Sequence, residues 1–245
     1  MTLLLMSLLA CDDCDGKDPP TVTHGDTCEW DGKIDDKILE VPWQATTTTE
    51  GGGLGWMQGG KAWLAFEDGA GVDDPTDKPA KEGLATQGVA VCTALVLVIE
   101  QGDDDLVGLF HIWSAHANDT QTQNAAAVLF EAAWEDIKSV AGLEDGASLP
   151  AGSYAVYADA HCKPEPGASV RTWLEGMGIE GESLHEWTQV RQTAVPRSFL
   201  VTPTATGIRI DARHEKGGGS CNSCGEDFLG TTGTMCLDVT EASGE

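Results

Sequence analysis

The longest apolar run in the chain extends from Val89 to Ile99 and stops at Gln101-Gly102-Asp103-Asp104-Asp105, a cluster of turn-forming residues. A second apolar run, Leu106 to Trp113, follows at once. Both are rich in Val, Leu and Ile, and the Gly-Asp break disfavours one helix through 89–113. The pair predicts a buried β-hairpin. Residues 122–141 have a different period. Val128, Leu129, Ala132, Ala133, Ile137 and Val140 recur at helical spacing, with Thr120 or Thr122 available to cap the start. Shorter patterns predict strands at 61–66, 153–158, 184–190, 198–202 and 208–212, and a helix over 168–177 stopped by Gly178. Thr204-Ala205-Thr206-Gly207 suits a hairpin turn between the last two strands.

The flanks have no such periodicity. Residues 11–58 are rich in Asp, Thr and Gly, including Thr46-Thr47-Thr48-Thr49 and Gly51-Gly52-Gly53, and read as a tether with an irregular lead-in. A polar loop is predicted over about 67–85. The tail, 215–245, opens on Gly217-Gly218-Gly219 and carries a cysteine cluster. The intervening 59–214 is predicted to be one α+β domain, a layered mixed/antiparallel β-sheet core flanked by two helices.

The chain has 245 residues, 41% of them hydrophobic, which suffices for a real core. Its net charge is −26, from 14 Lys and Arg against 40 Asp and Glu. Nucleic acid is excluded as a partner, since that affinity rests on phosphate neutralisation by basic side chains. An anionic membrane surface would repel the chain in the same way.

The N-terminus adds a membrane connection of another kind. Residues 1–10, MTLLLMSLLA, form an apolar run too short to span a bilayer, ending in Leu8-Leu9-Ala10-Cys11. This looks like a bacterial lipobox, with residues 1–10 as a signal peptide and Cys11 as the acylated residue. The expected location is extracytoplasmic, as a lipid-anchored or secreted protein, with membrane contact only through the anchor. Such a compartment is oxidising. Of eight cysteines, setting aside Cys11 and Cys92 leaves Cys14, Cys28, Cys162, Cys221, Cys224 and Cys236. Six is an even number, as disulfides need, with the pairing open. A zinc site from His214, Cys221, Cys224 and Cys236 is the other use of the tail, and disulfides suit an exported chain better. No metal or cofactor is expected.

Cys92 was set aside because of Thr86 and His111. Cys92 lies in the first apolar run and His111 in the second, and a hairpin places the start of one strand beside the end of the other. A neighbouring imidazole can activate a thiol and later protonate a leaving amine. A third group, Thr86 or a backbone carbonyl, must hold the ring in the useful tautomer. On residues alone, a cysteine in an apolar strand is usually a small core residue. His116 is a reserve base. His161 and Cys162 are adjacent on a strand, so they face opposite ways and do not pair. Trp113, Trp134, Trp173 and Trp187 are expected to pack the core or rim a cleft.

The segment Thr86-Gln87-Gly88-Val89-Ala90-Val91-Cys92, with Gly108-Leu109-Phe110-His111 after it, resembles the active-site region of the chemoreceptor glutamine deamidases (the CheD family). The order of elements over about 84–212 is similar too, through Val170–Ile179 and Arg197-Ser198-Phe199-Leu200-Val201-Thr202-Pro203. Cytotoxic necrotizing factor-type deamidases share the Cys–His geometry. The resemblance implies that Cys92 is the nucleophile, His111 the general base and acid, and Thr86 the residue that orients His111. Backbone N–H groups at Val91 and Cys92 would hold the oxyanion. The implied substrate is a protein with an exposed glutamine, deamidated through a thioester. Ala90-Val91 stand where the family has Gly-Ser, and an exported anchor is wrong for a cytoplasmic chemotaxis enzyme, so another target is expected. A non-catalytic lipoprotein binding a protein partner on the same fold is the alternative. A thiol protease or transglutaminase is a third.

Overall fold

A computed structural model describes residues 21–25, 30–42, 52–65, 80–89, 92–102, 104–113, 134–135, 137–159, 168–186, 197–214 and 234–240. Among them twelve strands form two six-stranded sheets. The first sheet has the order β1 (Thr21–Gly25), β12 (Thr234–Thr240), β11 (Gly207–His214), β10 (Arg197–Thr204), β5 (Gly83–Val89) and β2 (Ile38–Glu40). The second has β4 (Lys61–Ala65), β3 (Gly52–Gln58), β7 (Leu106–Trp113), β6 (Cys92–Ile99), β8 (Tyr154–Asp159) and β9 (Leu184–Glu186). Pairing is antiparallel except for β2 with β5 and β8 with β9.

Alternation along the strands builds the layers. In β6, Ala94, Val96 and Val98 face the other sheet and join Leu84, Val89, Phe199, Val201, Ile208 and Ile210 in one core. Leu95, Leu97 and Ile99 face the opposite way, where Phe110, Val170, Leu174 and Met177 make a second core. That second layer is helical. Helix α1 is described at 134–135 and 137–141, the C-terminal part of the helix predicted over 122–141. Helix α2 is Ala168–Gly176. The fold is therefore α+β, a layered mixed sheet core with two helices on one side.

Three sequence expectations need correction. The run from Val89 to Ile99 is not one strand. Val89 ends β5 in the first sheet and Cys92 begins β6 in the second, so the chain changes sheets within it. The sequence stays apolar from one strand to the next because both are buried, and hydrophobicity alone does not mark a change of sheet. The lead-in 11–58 is not wholly irregular, since it contributes β1, β2 and β3. The tail contributes β12.

The glycines that disguised β3 have a steric cause. A Cβ on Gly53 would overlap the carbonyl oxygen of Pro42, and one on Gly55 would lie 2.6 Å from Val41 Cγ2. The chain leaving β2 lies directly on β3, and only glycine admits it. The expected hairpins do form. β6 pairs with β7, and β10 turns into β11 through Ala205 and Thr206. The strand predicted at 184–190 is described only as β9, and 187–190 lie outside the described residues.

Candidate functional site

Thr86 and His111 come from different sheets and meet between them. Thr86 is on β5 and fully buried, and His111 is on β7 at 1% exposure. Their side chains lie in the core between the sheets, and Thr86 Oγ1 is 2.7 Å from His111 Nδ1. Thr86 Oγ1 also donates to the carbonyl of Val41 at 2.8 Å. A threonine hydroxyl has one hydrogen. With that hydrogen on Val41, the ring must supply the other one, so Nδ1–H donates to Thr86 Oγ1. Nε2 is then the bare nitrogen. It is buried and has no hydrogen-bond partner among the described residues.

A β-bulge aims Thr86. Phe199 pairs with Thr86 while Arg197 pairs with Val89, so β5 holds one more residue than its partner across this step. Gly88 takes the left-handed conformation there, with φ +74°. The bulge resets the alternation, so both Thr86 and Val89 lie on the inner side of the sheet. The glycine two residues after Thr86 thus has a backbone role.

Gly108 has a packing role. It pairs directly with Trp56, and a Cβ at Gly108 would lie 2.5 Å from the indole ring. Trp56 in turn stacks edge-on against Phe110, with centroids 5.8 Å apart. The spacing from Gly108 to His111 therefore records a tryptophan seat on one face and an imidazole on the other.

Cys92 opens β6 opposite Trp113, and Ala94 stands directly opposite His111. In backbone register Cys92 therefore stands one diagonal step from His111. Such diagonal positions are roughly 7–8 Å apart at the backbone. The hairpin expected from sequence thus places Cys92 and His111 near one another, two residues out of direct register. Val91, the other oxyanion candidate, lies outside the described residues, as do Cys11, Cys14, Cys28, Cys162, Cys221, Cys224, His116, His161 and Trp187. Cys236 is on β12, across from Gly25 and Asp211.

Burial governs the electrostatics. It lowers the pKa of His111 from 6.5 to about 4, so the ring is neutral near neutral pH. A neutral ring with Nε2 bare is the form that accepts a proton. It does not favour a preformed thiolate–imidazolium pair, since desolvation penalises both charges.

The Val41 carbonyl is the member of this group that residue patterns did not single out. A backbone acceptor leaves no trace in residue identity, and only the fold brings β2 alongside β5. A cleft of about 620 Å³ lies at the other end of the sandwich, lined by residues such as Gln58, Asp104, Val107 and Pro203. It is separate from the Thr86–His111 pair. Comparison of the chain with protein-family models, curated proteins and solved structures returned no match.

Proposed function

We propose that the chain is a cysteine–histidine amidohydrolase that deamidates glutamine side chains of a protein. The observation that carries this reading is the Val41–Thr86–His111 hydrogen-bond chain, which leaves Nε2 bare on a strand whose hairpin partner begins at Cys92. In the proposed reaction Nε2 takes the thiol proton as the sulfur attacks the carboxamide carbon. The tetrahedral intermediate collapses, the carbon–nitrogen bond breaks, and ammonia leaves with the proton returned from the imidazolium. Water then attacks the thioester, giving glutamate and the free thiol. The location outside the cytoplasm and the N-terminal anchor belong to the same proposal.

Casein with its lysines dimethylated serves as a glutamine-rich probe. Wild-type protein is expected to release ammonia from it, and Cys92→Ser to release none while keeping its circular dichroism. Undiminished release by Cys92→Ser rules the proposal out. Adding a primary amine separates hydrolysis from transfer, because a transglutaminase would attach the amine to casein.

One observation favours a second reading. His111 is almost wholly buried, as a purely structural link between the two sheets would be. On that reading the chain is a binding lipoprotein, and Cys92→Ser changes neither ammonia release nor partner capture.

A further inference from the structure

We infer that Gly53 and the Val41–Pro42 segment form a positioning device that fixes the tautomer of His111. The inference rests on the proposed use of His111 as a base, although its test does not.

Gly53 stands directly opposite His111 in the β3–β7 register. Pro42 lies over it so closely that any Cβ would overlap the Pro42 carbonyl oxygen, with Pro42 C at 3.0 Å and Val41 Cγ1 at 3.3 Å. The backbone of Gly53 has no positive φ, so conformation does not require glycine there. The close approach does. On the other side, Val41 N donates to Ala85 O at 2.7 Å, prolonging the β2–β5 ladder by one residue. Val41 is therefore held from both sides, by a hydrogen bond to β5 and by contact with β3. Its carbonyl is left facing the Thr86 hydroxyl at 2.8 Å.

The consequence concerns one proton. A hydroxyl between a carbonyl and an imidazole can donate to either. With the Val41 carbonyl in place, donation goes to it, and Nδ1 must be the ring nitrogen that carries hydrogen. If the carbonyl is displaced, the hydroxyl is free to donate to Nδ1, and the ring hydrogen moves to Nε2. A ring protonated at Nε2 has no lone pair for the Cys92 proton. Three backbone positions thus decide whether His111 acts as a base.

The test is the nitrogen-15 NMR signature of the His111 ring at neutral pH, assigned by comparison with His111→Gln. Wild-type protein should give a protonated Nδ1 and a bare Nε2. Thr86→Ser, which retains the hydroxyl, should give the same pattern. Thr86→Val and Gly53→Ala should shift hydrogen onto Nε2. A folded Gly53→Ala protein that keeps the wild-type pattern overturns the inference, and so does wild-type protein with hydrogen on Nε2. If Gly53→Ala does not fold, the contrast between Thr86→Ser and Thr86→Val decides, and identical patterns in those two overturn it. Ammonia release from dimethylated casein separates this from the hydrolase reading. The expected tautomer together with undiminished release by Cys92→Ser defeats the hydrolase alone. The wrong tautomer together with release abolished by Cys92→Ser defeats the positioning device alone.

Discussion

Thr86 and His111 join the two sheets through one contact, Oγ1 to Nδ1 at 2.7 Å, beside an interlayer cluster that, among the described residues, is apolar but for Tyr154. A polar link in such a place is stabilising only when every member is satisfied. Here the hydroxyl is satisfied twice and the ring once, and the unsatisfied atom is Nε2.

Replacing Thr86 with Val keeps the shape and removes the hydroxyl. It leaves the Val41 carbonyl and the Nδ1 side of the ring without their partner in the core. A loss of about 1–3 kcal/mol is expected from urea unfolding, while Thr86→Ser should lose less than Thr86→Val. Equal stability in Thr86→Val and wild type would contradict the hydrogen-bond chain.

The lowered pKa of His111 has a defined sign. The unfolded ring binds its proton near 6.5 and the folded ring only near 4. Between those values the unfolded state carries more protons, so the contribution of this ring is fully present above pH 6.5. It falls by about 1.4 kcal/mol per pH unit as pH drops toward 4, roughly 3 kcal/mol in all. Unfolding of wild type and His111→Asn at pH 7 and pH 5 isolates it, and the wild type should lose more between them. The His111 ring carbon protons should show no titration near pH 6.5. The acid limb of ammonia release should likewise lie near pH 4, because the base is active when neutral.

Two glycines near the site should respond oppositely to the same substitutions. Gly88 has φ +74° with open space at its Cβ position, so Gly88→Ala should cost about 1–2 kcal/mol of backbone strain and Gly88→Asn less. Gly108 has no positive φ but faces Trp56, so Gly108→Ala should cost about 1–3 kcal/mol from overpacking and Gly108→Asn more. Thermal unfolding of the four variants gives the order. The same ranking at both positions would contradict these assignments.

The parts of the fold legible in the sequence are those with a clean period. The β6–β7 and β10–β11 hairpins follow from alternating apolar runs and their turns, and α2 from its helical spacing before Gly178. Among the candidate site residues, Thr86 and His111 do meet, because Thr86 precedes a glycine bulge and His111 lies on the inner face of its hairpin. The change of sheet after Val89 was illegible, since both strands are buried and the apolar run is continuous across it. β3 was illegible because Gly53 and Gly55 yield their side-chain space to Val41 and Pro42, which erases the alternation that identifies a strand. Val41 escaped notice as a partner of Thr86 because its carbonyl, common to every residue, makes the contact.

The most direct measurement is the separation of Cys92 Sγ from His111 Nε2 in a crystal structure at high resolution. The hydrolase reading requires a free sulfur on the inner sheet face within hydrogen-bonding reach of Nε2. A sulfur bound in a cystine, or turned to the helix side of β6, would contradict it.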